Sequence, residues 1–154
     1  MFVGPHGSQA ATGAQTTHMP NRATLGLPAR PEMWAIVRTT ARAIALQIAL
    51  PFDDLEDLRV AIAELCASCA YGAESDALCE CSFEWTEDSF SLSCTVSPVA
   101  LDVALLDRSP MRPAQLELSR QILDAVVDDY EIFRDKDGMC RGSLRKNRSL
   151  SHFQ

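Results

Sequence analysis

Hydrophobic residues between positions 33 and 48 recur at steps of three and four, which is the pattern of an amphipathic helix. Pro31 fits the first turn of this helix and Pro51 stops it. The polar side of the helix carries Arg38 and Arg42. The predicted apolar stripe consists of Met33, Ile36, Val37, Thr40, Ala41, Ile44 and Ile48.

A second helix is predicted from Asp53 to about Tyr71, since Gly72 suits the position just after a helix end. Asp53 and Glu56 resemble a capping box, in which two side chains satisfy free backbone N–H groups. Beyond position 59 the helix is apolar on nearly every side apart from Glu64 and one serine. We therefore expect it to be buried on most sides.

Strands account for most of the remaining pattern. Residues 77–85 alternate polar and apolar, so the odd-numbered side chains are expected to face the core. Leu118, Ile122, Ala125 and Val126 form the predicted stripe of a third helix. The predicted elements in this part are strands at 23–29, 77–85 and 89–96, a helix at 114–129, and strands at 129–135 and 139–146. The order β-α-α-β-β-α-β-β predicts an α/β (α+β) two-layer sandwich, with helices on one face of a mostly antiparallel sheet.

Composition limits the function classes. The chain has 154 residues, of which 47% are hydrophobic and 23% charged, as expected for one globular domain. Its net charge of -7 argues against direct nucleic-acid binding, which needs a basic surface. No run approaches the roughly 20 apolar residues that span a bilayer, and residues 1–22 do not resemble a signal peptide. We expect a cytoplasmic protein that does not bind membranes.

The composition of the chain ends predicts three segments. Residues 1–22 are rich in small and polar side chains and are predicted to be a disordered tail. Residues 23–147 form the predicted domain. Residues 148–154 are predicted to be a polar tail of the same kind.

Six cysteines occur in the chain, and four of them suggest a metal or redox site. Cys66 and Cys69 form a C-x-x-C, and a tetrahedral zinc site would need Cys79 and Cys81 as its second pair. However, redox-active C-x-x-C motifs lie at helix N-termini, whereas Cys66 and Cys69 lie near a helix C-terminus. We therefore favour core thiols and no metal, with a thiol- or zinc-regulated binding module as an alternative.

Glu64 is the carboxylate that the pattern places among apolar neighbours. A buried carboxylate costs several kcal/mol unless it is paired, hydrogen-bonded or protonated. Glu64 is therefore a candidate general base, or else a group that faces a polar crevice or pairs with an arginine.

The run "LPARPEMWAIVRTTARAIALQIALPFDDLEDLRVAIAELCASCA" resembles bacterial anti-sigma factors of the switch-kinase type (RsbW-like), which belong to the GHKL, or Bergerat, ATPase superfamily. The segment "QILDAVVDDYEIFRDKDG" is similar to a later part of the same family. The resemblance covers about residues 23–147 and is strongest over 28–70. The matching positions are Pro31, Arg38, Asp57, Ala61, Glu64 and Cys66.

The resemblance assigns roles to positions of the nucleotide pocket. Glu64 matches the general base, and Ser68 stands where the family has the asparagine that holds magnesium. Val96, Ser97 and Pro98 occupy the place of the adenine-binding D-x-G motif. The glycine-rich lid has no counterpart, since no glycine occurs from residue 73 to residue 137. Glycine lets the backbone approach phosphate oxygens, so we expect no ordinary ATP binding and no cofactor.

The resemblance also implies partners. Arg38 matches a family position that contacts the sigma factor, and we expect Trp34 and Arg42 on the same partner-binding surface. The predicted function is to sequester an alternative sigma factor, with release by a STAS-type anti-anti-sigma factor and with homodimer formation. The alternatives are an active serine kinase that binds ATP and magnesium, the thiol- or zinc-regulated module, and a scaffold that binds neither nucleotide nor sigma factor.

Overall fold

The predicted order of helices and strands is confirmed. A computed structural model of the protein describes residues 19–99, 113–136 and 138–149. A short 3-10 turn, Pro31–Met33, leads into the first helix. The elements are β1 (Asn21–Pro28), α1 (Trp34–Gln47), α2 (Phe52–Cys69), β2 (Ala73–Trp85), β3 (Ser89–Val99), α3 (Pro113–Val126), β4 (Asp129–Arg134) and β5 (Cys140–Asn147).

The five strands form one antiparallel sheet in the order β1-β2-β3-β5-β4. The alternation on β2 predicts its faces correctly, because Cys79, Cys81 and Phe83 are buried whereas Leu78 is 64% exposed. The buried face is covered by the helices, and the other face is open to solvent. The result is the predicted two-layer α+β sandwich.

Helix α2 lies at the centre of the helical layer, in contact with α1, α3 and the strands β3, β4 and β5. It approaches β5 so closely that a Cβ on Gly142 would come within 2.4 Å of the Cys69 sulfur. Gly72 has a φ of 73°, in the left-handed region that favours glycine, so it ends the helical segment as the sequence predicts. The helix is thus packed directly against the sheet as well as against both neighbouring helices.

The capping box predicted at the start of α2 is wrong. Pro51 is the N-cap residue and makes no side-chain cap hydrogen bond. Asp53 lies inside the first turn, and Glu56 pairs with Arg59 at 3.0 Å instead. An acidic first turn still interacts favourably with the positive end of the helix dipole.

The apolar stripe predicted for α3 is displaced around the helix. Leu118 is 56% exposed and Ala125 is also exposed, whereas Ser119 and Leu123 are buried. One residue turns an α-helix by about 100°, so a shift of one position rotates the buried face by more than a quarter turn, and Ile122 and Val126 stay partly buried. The helix is therefore present, but its buried face includes a serine.

Some residues assigned to the two predicted tails belong to the folded domain. Asn21 and Arg22 belong to β1, where they pair with Trp85 and Glu84. The boundary predicted at residue 22 is therefore wrong by two residues, while residues 1–18 lie outside the described residues. At the other end, Ser149 donates from its N–H to Asp54 Oδ2 at 2.9 Å and from its hydroxyl to Oδ1 at 2.7 Å. Residues 150–154 lie outside the described part.

A buried charge network joins three elements. The Lys146 ammonium on β5 donates to Asp57 Oδ2 and to the carbonyl of Val126 at the end of α3, both at 3.0 Å. It also lies 3.7 Å from Asp54 Oδ1, whose side chain is 3% exposed. These contacts fix the start of α2 against the end of α3. In the described residues we find no helix that meets both the length and the hydropathy needed to cross a membrane.

Candidate functional site

Glu64 lies half-buried on α2 and faces α3. Its Oε2 accepts a hydrogen bond of 2.5 Å from the hydroxyl of Ser119, which is 4% exposed. Among the described residues, the partner of this carboxylate is thus a hydroxyl and not the arginine that the sequence offered as one explanation. A base that accepts a proton from an incoming hydroxyl would first have to exchange this internal hydroxyl for that of the substrate.

Ser68 lies one turn beyond Glu64 on the same side of α2. It is 2% exposed, and its hydroxyl has no hydrogen-bond partner among the described residues. A cleft of about 230 Å³ adjoins it, lined by Ser68, Leu116, Arg120, Ile132 and Arg134. A single hydroxyl supplies less to magnesium than an amide carbonyl with a carboxylate would. The role of Ser68 as a magnesium-ligand position stays a prediction.

Arg134 closes the end of α2 beside this cleft. Its guanidinium donates to the carbonyls of Tyr71 at 2.9 Å and Ser68 at 3.4 Å. It also lies 5.4 Å from the centre of the Tyr71 ring. A cation at a helix C-terminus stabilises the free carbonyls there. The sequence analysis missed Arg134 because it reaches α2 from β4.

The three positions matched to the adenine motif lie within β3. Val96 is fully buried and pairs in register with Cys79 and Cys140, while Ser97 is half-buried and pairs with Leu78. Pro98 continues the strand. Valine and serine carry no carboxylate, so neither side chain can accept a hydrogen bond from an adenine amino group as an aspartate would. The segment 101–112, where the lid is expected, lies outside the described residues.

Arg38 and Arg42 border a second cleft, between α1 and α2, of about 240 Å³. Arg59 of α2 completes its charged lining. Apolar side chains form its walls and include Leu55 and Ile62. Trp34 is not part of this surface. It is 5% exposed in the core, so its predicted place on the partner-binding surface is corrected. An aromatic residue at the start of α1 can equally be a core anchor, and the local sequence does not distinguish the two.

The cysteines are all free and buried, but they do not assemble as the sequence grouped them. Cys81 Sγ lies 3.6 Å from Cys79 Sγ and 3.4 Å from Cys94 Sγ. Hydrogen bonds from Cys81 and Cys94 lower the pKa of Cys79 to about 4. In contrast, the hydrogen bonds that Cys81 makes with Cys79 and Cys94 raise the pKa of Cys81. Cys69 contacts Cys140 instead.

Comparisons with known proteins agree with this architecture. No family model matches the chain. Over 122 residues it is 25% identical to "Serine-protein kinase RsbW" of Bacillus cereus (strain G9842), covering 71% of this chain and 76% of that protein. A shorter stretch of 50 residues is 38% identical to the protein of the same name from Bacillus velezensis, covering 32% of this chain and 31% of the relative. Over most of its length the chain is therefore similar to RsbW proteins.

The fold has a solved counterpart. The crystal structure of the RsbU and RsbW domains of a Mycobacterium tuberculosis protein matches with a TM-score of 0.58 at 15% identity, covering 87% of this chain and 34% of that chain. The chain therefore spans about a third of the length of that structural relative. The predicted two-layer fold and the predicted resemblance to RsbW proteins are both confirmed.

Proposed function

We propose that the chain is an anti-sigma factor that sequesters an alternative sigma factor by direct contact and does so without normal ATP binding. A STAS-type anti-anti-sigma factor would release the sigma factor, and the chain would act as a homodimer in the cytoplasm. The observation that carries the proposal is the arginine-lined cleft between α1 and α2.

The chemistry of this cleft suits a protein partner. Arg38, Arg42 and Arg59 supply positive charge on a chain whose net charge is -7. In protein interfaces, arginine is enriched among the few residues that contribute most of the binding energy, and these residues lie in well-packed pockets. A segment that carries Asp or Glu beside an apolar anchor would complement it, and the charge contrast would orient the encounter.

The side of α2 that faces α3 supports the absence of ATP chemistry. Glu64 is bonded to Ser119, and Ser68 lacks the amide of the family pattern. Phosphoryl transfer depends almost entirely on placing the phosphates and stabilising their charge. A pocket without the adenine carboxylate or the lid glycines would provide little of either.

The test is a binding titration with purified alternative sigma factors of the organism that encodes the chain. One of them should bind, and Arg38→Ala should weaken that binding. Arg141→Ala is the matched control, because Arg141 is exposed on the open face of the sheet, away from the cleft. Failure of every alternative sigma factor to bind would contradict the proposal.

The second candidate function is an ATP-dependent serine kinase with Glu64 as its base and the anti-anti-sigma factor as its substrate. It is favoured by the relatives of 25% identity, which are named serine-protein kinases. Calorimetry with ATP and magnesium distinguishes the two candidates. Saturable micromolar binding, abolished by a change at the magnesium-ligand position such as Ser68→Leu, would support the kinase and contradict the first proposal.

A further inference from the structure

Three cysteine sulfurs lie close together on the core face of the sheet, and a fourth cysteine, Cys66, interacts with one of them from α2. Cys81 and Cys94 are direct register partners on β2 and β3, and Cys79 lies two residues along β2 on the same face. The three sulfurs all lie within 4.8 Å of one another. Cys66 on α2 interacts with Cys94, although its sulfur is not one of the three that all lie within 4.8 Å of one another. The cluster thus has three thiols on the sheet and one on the helix.

The spacing of these sulfurs is close to that of a metal–thiolate site. Four sulfurs placed tetrahedrally at the usual zinc–sulfur distance of about 2.3 Å are separated by about 3.8 Å. The two measured separations, 3.4 and 3.6 Å, are slightly below that value. Small side-chain rotations would open them. Ligands on two hydrogen-bonded strands are also held rigidly, which lowers the cost of organising them.

We propose that Cys79, Cys81 and Cys94, with Cys66 as the fourth ligand, bind a thiophilic d10 cation, Zn²⁺ or Cu⁺. Soft thiolate ligands select these ions over magnesium or calcium. Each sulfur that binds the ion gives up its S–H proton, and the cation offsets the thiolate charge inside the core.

The position of the cluster suggests what the ion would do. Cys66 lies two residues after Glu64 on α2, and Cys94 lies two residues before Val96 on β3. A bound ion would therefore join α2, which carries Glu64 and Ser68, to β3, which carries the adenine-motif position. Its role is structural, because the site is closed to solvent and leaves no position for a substrate. This inference does not depend on the proposed sigma-factor binding.

The test uses the full-length chain, purified and kept under a reductant that does not bind metals. Zn²⁺ and Cu⁺ are titrated separately, with bound metal measured by elemental analysis and affinity by competition with a chromophoric chelator. We expect one ion per chain, and a Co²⁺ form with thiolate charge-transfer absorption and tetrahedral visible bands. Zn²⁺ or Cu⁺ should also raise the melting temperature, because it binds the folded chain.

Matched variants locate the site. Cys94→Ala and Cys81→Ala should each weaken binding by about 100-fold, because a structural site depends on all of its ligands. Cys140→Ala removes an equally buried thiol outside the cluster and should leave binding unchanged. The inference is overturned if the wild-type chain binds neither ion stoichiometrically, or if Cys140→Ala weakens metal binding as much as Cys94→Ala does. A Cys81–Cys94 disulfide in protein taken from cells would also overturn it. The wild-type measurement decides the matter even if a variant does not fold.

Discussion

The two sides of helix α2 differ in how far their side chains are already engaged within the chain. Toward α1, the helix borders an open cleft with Arg38, Arg42 and Arg59 in its lining. Toward α3, Glu64 is already bonded to Ser119. One side of the helix therefore borders a cleft that is open to a partner. On the other side, the Glu64 carboxylate already has a partner within the chain.

This difference follows from what each task requires. A protein interface draws most of its binding energy from a few well-placed side chains and tolerates change elsewhere. Phosphoryl transfer requires several groups to be placed together, and the backbone must also approach the phosphates. A missing phosphate-binding group would therefore disable phosphoryl transfer before it affected binding on the α1 side. Binding on the α1 side can persist on the same fold.

The largest predicted effect concerns the scaffold that both sides share. Lys146→Met removes the cation between Asp57 and the buried Asp54, and should lower the free energy of unfolding by about 3–5 kcal/mol. Chemical denaturation measures this loss. The control is Arg59→Ala, which removes a pair with Glu56 exposed at the surface and should cost no more than about 0.5 kcal/mol. Equal losses in the two variants would contradict the burial argument.

A smaller effect is expected where α2 meets β5. Gly142→Ala would place a methyl group 2.4 Å from the Cys69 sulfur and 2.9 Å from Leu65 Cδ1, so overpacking should cost about 1–3 kcal/mol of stability. Gly26→Ala is the matched control on β1, where an added Cβ meets nothing within 4 Å. Thermal melting of both variants checks the prediction. Stability of Gly142→Ala equal to that of wild type would show that α2 can move away from the sheet.

The third prediction tests the α1 side alone. Arg38→Ala should weaken sigma-factor binding about tenfold, or about 1.4 kcal/mol, while the melting temperature stays near that of wild type. Titration at two salt concentrations checks the charge contribution, since an arginine contact weakens with salt. Unchanged affinity would move the contact surface away from the α1–α2 cleft.

The smallest effect is expected on the α3 side. Ser119→Ala removes the hydrogen bond to Glu64 and should cost about 1 kcal/mol of stability without changing sigma-factor affinity. Ser93→Ala, on the exposed face of β3, should change neither quantity. If Ser119→Ala gave the chain measurable ATP turnover, the hydroxyl would be a brake on a working base, and the contrast between the two sides would be regulatory.

Local periodicity was sufficient for the element order and for the faces of β2, because the i, i+2 alternation places Cys79 and Cys81 on the core side wherever the strand pairs. The wrong predictions concern which residues of α3 face the core and where α2 begins. A shift of one residue moved Leu118 to solvent and brought Ser119 inside on α3. The predicted start of α2 was wrong because the N-cap residue is Pro51 and not Asp53.

The candidate site depended on contacts that no local pattern contains. Glu64 meets Ser119 across 55 positions of sequence, and Arg134 reaches Ser68 across 66. Cys94 joins Cys81 only through the register of the β2–β3 hairpin. The family resemblance located Glu64 and Arg38, but not the partners that surround them.

The most direct test is one titration of the purified chain with its alternative sigma factor, performed without nucleotide and again with ATP and magnesium. We predict saturable binding with the same affinity in both buffers, because the α1–α2 cleft acts independently of the α3 side. Binding that requires ATP and magnesium would contradict this account, since it would show that the nucleotide pocket still controls the partner-binding surface.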